Sequence, residues 1–209
     1  MQIAEEVAKN LLQIGAVKLS PNEPFTWASG LKSPIYCDNR YVLSFPAARN
    51  LIKNSFATII QEQFKEIDVI AGVATGAIAH GVLVAEVLEK PFIYVRSSAK
   101  AHGLGNMVEG KIEKGNRVLV IEDLISTGGS SLKAIEALRD AGAEIIALGA
   151  IFTYGFEKAT QAFAAANCPF FTLSNYPVLI EMAIQNNYVS AADKDLLMKW
   201  YANPEKWGA

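Results

Sequence analysis

"RVLVIEDLISTGGSS" (117–131) sets a run of aliphatic residues against two acids and then a loop of hydroxyls and glycines. Val118, Leu119, Val120 and Ile121 are apolar on consecutive positions. Both faces of such an extended segment must be buried, as in a central strand of a parallel sheet. Glu122 and Asp123 are expected where that strand ends, and the residues from Ser126 to Ser131 offer little to a core. A polar ligand belongs beyond this strand end.

Working outward, the same pattern recurs in "DVIAGVA" (68–74), "PFIYVR" (91–96), "EIIALGAIF" (144–152) and "PFFTL" (169–173). Between these runs, "GAIAHGVLVAEVLEK" (76–90) and "SSLKAIEALRDAGA" (130–143) place apolar residues on one helical stripe, with Leu132, Ile135 and Leu138 in the second. Gly142 suits the C-terminal end of that helix. The alternation predicts an α/β fold: a doubly wound, mostly parallel sheet with right-handed crossovers. "FTWASGLKSPIYCDNRYVLSFP" (25–46) has a different character, with prolines, Ser29 and Gly30 among aromatics, and a helix is expected from about Ala47 to Phe64 with Ile52, Phe56, Ile59 and Ile60 inward. Three stretches follow: N-terminal helices and a hood over 1–66, an α/β core over 67–175, and C-terminal helices over 176–209 packed on that core, at the surface or at a subunit contact.

At 209 residues and 51% hydrophobic, the chain can bury a sizeable core. Its net charge of −2, without a long basic block, argues against nucleic acid as partner. No run of about 18 apolar residues suggests a membrane span. "MQIAEEVAKNLLQIGAV" (1–17) lacks the basic start and unbroken apolar run of a targeting segment, so a cytoplasmic protein is expected. Cys37 and Cys168 have no CxxC or CxxH spacing, which leaves zinc and dithiol chemistry without support. Trp27, Trp200 and Trp207 read as packing or dimer-contact residues.

In an open parallel sheet, ligands bind beyond the carboxyl ends of the strands. Gly128 and Gly129 let successive N–H groups converge there, and the helix that follows adds the positive end of its dipole. Such a loop is a cradle for an anion, above all a phosphate monoester. No Lys follows Gly129, so the GxxxxGK(S/T) spacing of nucleoside-triphosphatases is absent, as is GxGxxG. The acid pair adds a second demand: carboxylates repel phosphate but bind vicinal hydroxyls, and a ribose 5-phosphate meets both. The competing reading makes Glu122 and Asp123 helix caps beside an ordinary polar turn.

"VLVIEDLISTGGS" (118–130) resembles the phosphoribosyl-diphosphate (PRPP) motif of the type I phosphoribosyltransferases, in which two adjacent acids follow four apolar residues and precede a Thr-Gly-Gly-Ser loop. "FTWASGLKSPIYCDNR" (25–40) and "YVRSSAKAHGLGNMVEG" (94–110) are similar to the N-terminal signature and the mobile loop of the orotate phosphoribosyltransferase family. "LSNYPVLIEMA" (173–183) and "DKDLLMKWYANPEKW" (193–207) resemble its Gram-positive branch. The resemblance implies transfer of ribose 5-phosphate from PRPP to orotate, giving orotidine 5'-monophosphate and pyrophosphate, with Mg²⁺ as cofactor and no dedicated protein ligand for it. It also implies a homodimer whose mobile loop reaches the neighbouring subunit's site.

Residue by residue, the resemblance assigns Arg96, Lys100 and His102 to the diphosphate, with Lys100, His102 and Asp123 catalytic. Arg and Lys suit phosphate oxygens, and a His can donate to the departing pyrophosphate. PRPP is expected on Glu122, Asp123, Leu124, Ile125, Ser126, Thr127, Gly128, Gly129 and Ser130, with Thr75 and Gly76 offering backbone contacts to pyrophosphate. Orotate is expected at Tyr36, Cys37 and Ser126. Arg40 is a candidate for the orotate carboxylate; the alternative pairs it with Asp38 or a helix. His80 reads as a packed or surface residue.

The chain departs from many relatives in three places. Ala28 stands where they carry Lys before the Ser-Gly of the first signature, Gly76 where they carry Lys after the first core strand, and "FTYGF" (152–156) where they carry Asp-Arg. Rival readings are a purine or xanthine phosphoribosyltransferase, and a PRPP-sensing regulator without turnover.

Overall fold

The computed structural model describes residues 2–27, 29–98 and 107–207. Helix α1 (Ile3–Gln13) begins with a capping box between Gln2 and Glu5 and buries Val7, Ala8, Leu11 and Leu12 on one stripe. The hood follows as two short antiparallel pairs: β1 (Val17–Leu19) with β4 (Ile35–Cys37), and β2 (Phe25–Thr26) with β3 (Lys32–Ser33). A 3-10 helix (Asn39–Ser44) leads into α2 (Pro46–Gln63), where Pro46 occupies the first turn, a position whose N–H is not needed. Ile52, Phe56 and Ile60 are buried and Ile59 half-buried, as the periodicity predicts.

The core alternates β5 (Val69–Val73), α3 (Ile78–Val87), β6 (Phe92–Val95), β7 (Val108–Glu109), β8 (Arg117–Ile125), α4 (Gly129–Asp140), β9 (Glu144–Thr153), α5 (Glu157–Ala165) and β10 (Phe170–Asn175). One six-stranded sheet results, in the order β10-β9-β8-β5-β6-β7. Every pairing is parallel except β6 with β7. The two-residue β7 was too short to read from the sequence. Leu119 and Ile121 enter one core with α1, α2 and Trp200, while Val118 and Val120 enter another with Ile135, Leu138 and Phe163. Period-two alternation with both faces covered explains the unbroken apolar run.

One boundary differs from expectation. Strand β8 does not end at the acids but continues to Ile125, because Leu124 and Ile125 still pair with Phe152 and Thr153 of an equally prolonged β9. At the C-terminus come α6 (Tyr176–Gln185), a 3-10 helix (Ala191–Asp193) and α7 (Lys194–Ala202), and α6 and α7 pack on the core as expected. Trp200 and Leu197 are fully buried, and Trp200 packs on Trp27, Tyr154, Phe156 and Tyr176. The hood, the sheet and α7 thus share one core. Gly142 ends α4 with φ +90°, as anticipated. Among the described residues no helix is long and apolar enough to cross a membrane.

Candidate active site

The chain leaves β5 towards β6 on one side and returns at β8 on the other, so the strand order reverses between β5 and β8. Ligands bind at such a reversal, beyond the carboxyl ends of the strands. Two loops flank it here: residues 74–77, whose Ala74–Thr75 peptide is cis, and residues 126–128. Gly128 adopts φ +82° immediately before α4, and a Cβ there would lie 2.8 Å from the Phe163 ring. Conformation and space therefore both favour glycine. The first N–H groups of α4, from Gly129 and Ser130, have no intrahelical acceptors and lie at the positive end of the helix.

The acids diverge because neighbours on a strand point to opposite faces. Glu122 is only 4% exposed and accepts hydrogen bonds from Asp123 N at 2.9 Å and Ser131 Oγ at 2.8 Å. Burial, reinforced by the neighbouring Asp123, pushes its carboxyl up to about 8. Asp123 is half-buried and its carboxylate rests against Gly76, where any Cβ would overlap it. Its carbonyl accepts from Asn39 Nδ2 at 2.6 Å. Asn39 is buried, and its Oδ1 accepts from Cys37 Sγ at 3.5 Å. Sequence reading missed Asn39, which is 84 residues from its partner and carries no local motif.

On the hood side, Tyr36, Cys37, Thr26, Trp27, Leu124, Ser126 and Tyr154 line a pocket of about 270 Å³. Trp27 Nε1 donates to the Ile35 carbonyl at 3.0 Å, which holds the indole across the hood. Ser126 also borders a larger cavity of about 900 Å³ with Thr127, Trp27, Lys158 and Tyr201. Tyr36, Cys37 and Ser126 thus come together as expected, and Leu124 joins them.

Arg40 does not line this pocket. Its Nε and one terminal nitrogen each lie 2.7 Å from the Asp38 carboxylate, the pairing that was the alternative to a substrate role. This bidentate contact holds the Asp38 carboxyl below its ordinary value. Ile125, expected at the PRPP loop, is fully buried, and its carbonyl accepts from Tyr154 N and Thr153 Oγ1. The extra strand length draws it into the sheet, so the loop begins at Ser126. Thr75 is exposed in the loop opposite. Arg96 follows β6, 3.6 Å from Glu109. Lys100 and His102 lie outside the described residues. His80 is buried, its Nε2 has no hydrogen-bond partner among the described residues, and burial lowers its basicity, which fits the packed reading.

Residues 42–178 match the phosphoribosyl transferase domain family. The chain is 56% identical to an orotate phosphoribosyltransferase of Listeria monocytogenes over 208 residues, covering 100% of each. It is likewise 56% identical to an orotate phosphoribosyltransferase of Bacillus caldolyticus, covering 98% of each. Among solved structures, orotate phosphoribosyltransferase from Aeropyrum pernix superposes with a TM-score of 0.76 at 28% identity, covering 88% of this chain and 99% of that one.

Proposed function

The chain belongs to the orotate phosphoribosyltransferase family and transfers the phosphoribosyl group of PRPP to orotate; we propose how its residues divide that task. Orotidine 5'-monophosphate and pyrophosphate are the products. The loop from Ser126 to Ser130, with the first N–H groups of α4, takes the 5'-phosphate. Asp123 takes the vicinal ribose hydroxyls, and Glu122 supports it from beneath through Asp123 N. Thr75 and Gly76 present backbone to the pyrophosphate across the crevice, with Arg96, Lys100 and His102 as its charged partners. The stretch 1–66 serves as hood over the acceptor, 67–175 as the PRPP-binding core, and 176–209 as the brace behind both.

The bond that breaks joins the anomeric carbon to a pyrophosphate oxygen, and positive charge spreads over the ribose as it lengthens. Orotate reacts as its anion, so no protein base has to remove a proton. Catalysis is then positioning and electrostatic support of the leaving group. Asp123 offers a hard carboxylate oxygen beside the pyrophosphate-facing loop, a donor that would suit Mg²⁺ brought in on substrate oxygens without a dedicated protein site. When bound, Mg²⁺ neutralises charge on those oxygens. The working unit is a homodimer in the cytoplasm, with the loop bearing Lys100 and His102 completing the partner's site.

The observation that carries this assignment is the convergence of Asp123, the 126–128 loop and the hood pocket at one strand reversal. The test follows orotate absorbance on adding protein, PRPP and Mg²⁺, with uracil, adenine, hypoxanthine and xanthine in parallel. A fall that requires PRPP and Mg²⁺ is expected with orotate. Consumption of a purine instead would discard the hood reading, and PRPP binding without turnover would make the protein a sensor.

A further inference from the structure

The pocket beneath the hood poses a problem of charge. Orotate carries a carboxylate, yet among the described residues lining this pocket there is no Lys, Arg or His, and Lys32, whose Nζ donates to the Thr26 hydroxyl at 2.7 Å, is itself exposed. Arg40, the candidate read from the sequence, is committed to Asp38. What the lining does hold is a set of neutral hydroxyl donors on Thr26, Tyr36, Ser126 and Tyr154, around an apolar slot of about 270 Å³.

Tyr154 stands out among these four. Tyr36 is 43% exposed, whereas Tyr154 is 3% exposed and held by its surroundings. Its ring stacks on Phe156 at 5.5 Å and meets Trp27, Phe152 and Trp200 at centroid distances of 5.1 to 5.8 Å. The backbone on either side is equally fixed. Tyr154 N donates to the Ile125 carbonyl, and Thr153 Oγ1 donates to that carbonyl and accepts from Gly155 N. The ring is therefore registered against the end of β8, next to Ser126 of the PRPP loop. Its hydroxyl has no hydrogen-bond partner among the described residues. A polar group held this firmly and left without a partner is set to serve a ligand. Burial raises the phenol well above its ordinary value, so the group stays a neutral donor.

We infer that Tyr154 is a specificity-determining residue for the acceptor, its phenolic O–H donating to the orotate carboxylate in the hood pocket. This rests on the orotate-transfer reading above and deepens it. A neutral O–H avoids the burial of a further cation beside Tyr154, and it still forms the stronger kind of hydrogen bond because the acceptor is ionised. The slot then selects by shape and by one buried donor, a combination that rejects bases with no oxygen at that point.

The test is Tyr154→Phe, which removes one oxygen and keeps the ring that packs on Trp27, Phe156 and Trp200. Tyr176→Phe serves as its control. That variant removes a buried hydroxyl donating to the Leu197 carbonyl at 3.1 Å, within the same aromatic cluster but outside the pocket. In steady-state assays with PRPP and Mg²⁺, Tyr154→Phe is expected to raise the KM for orotate roughly 10- to 100-fold, the range for losing a hydrogen bond to a charged group. The KM for PRPP should stay within about twofold, as should the orotate KM of Tyr176→Phe. An orotate KM within twofold of wild type in Tyr154→Phe overturns the inference, as does an equal rise in Tyr176→Phe, which would mark a packing effect. Failure of the orotate-transfer reading itself would look different, since the wild type would then leave orotate untouched.

Discussion

Asn39, in the hood, donates from Nδ2 to the carbonyl of Asp123, 84 residues away at the end of β8, over 2.6 Å. The bond ties the proposed acceptor hood to the acid proposed to hold the ribose. Asn39 also accepts from Cys37 Sγ, so the wall of the hood pocket and the crevice at the strand reversal share one buried amide.

Asn39→Ala is accordingly expected to lower stability by about 1–3 kcal/mol, the usual consequence of leaving a buried partner unsatisfied. It should also raise the KM for PRPP, because the main chain under Asp123 loses its brace. Asn39→Asp places an acid against that carbonyl and close to Asp123, and should do worse on both counts. Urea unfolding and steady-state kinetics read the two effects. Wild-type kinetics in Asn39→Asp would show that the link has no bearing on catalysis.

Gly76 lies directly against the Asp123 carboxylate. A Cβ at this position would overlap the Asp123 carboxylate, the free end of a short side chain that can turn aside. Gly76→Ala should therefore melt close to wild type while moving the carboxylate proposed to bind the ribose. The expected result is a KM for PRPP raised about tenfold, equivalent to roughly 1.4 kcal/mol, with the orotate KM little changed. Unaltered PRPP kinetics would mean that Asp123 works equally well from another position.

Glu122 couples stability to pH. Burial raises its carboxyl from 4.5 to about 8, so between these values the folded protein keeps a proton that the unfolded chain releases. Stability is thus fully present below pH 4.5 and falls as pH rises towards 8, by up to about 1.4 kcal/mol per unit. Glu122→Gln cannot release this proton, and its thermal stability relative to wild type should improve steadily from pH 5 to pH 8. Parallel stability curves for the two proteins would show that Glu122 is already ionised in the fold.

The proposed sharing of the loop between subunits has its own test. Lys100→Ala and Asp123→Asn should each be nearly inactive as homodimers. When mixed, half of randomly paired subunits form heterodimers with one intact site of two, so roughly a quarter of wild-type activity should return. Heterodimers verified by mass and still inactive would place both residues in the same subunit's site.

The fold was legible because local pattern and final position agree. Val118, Leu119, Val120 and Ile121 announce a strand covered on both faces, and the sheet covers both. Gly128, Gly129 and the acids before them mark the crevice because a left-handed turn and a helix N-terminus are local properties of the chain. Where each acid points was not legible: the strand continues past Glu122 and Asp123 because β9 is there to pair with it. One acid is thereby turned under α4 and the other towards Gly76. Nor could the sequence choose Asp38 as the partner of Arg40, or bring Asn39 to Asp123 and Tyr154 to the hood. By itself, then, the sequence determined the layered architecture and the class of ligand, since periodicity and loop chemistry act over a few residues. Only the tertiary structure decided which side chains meet and which remain free for substrate, because those contacts join residues far apart in the chain and depend on the packing of the whole core.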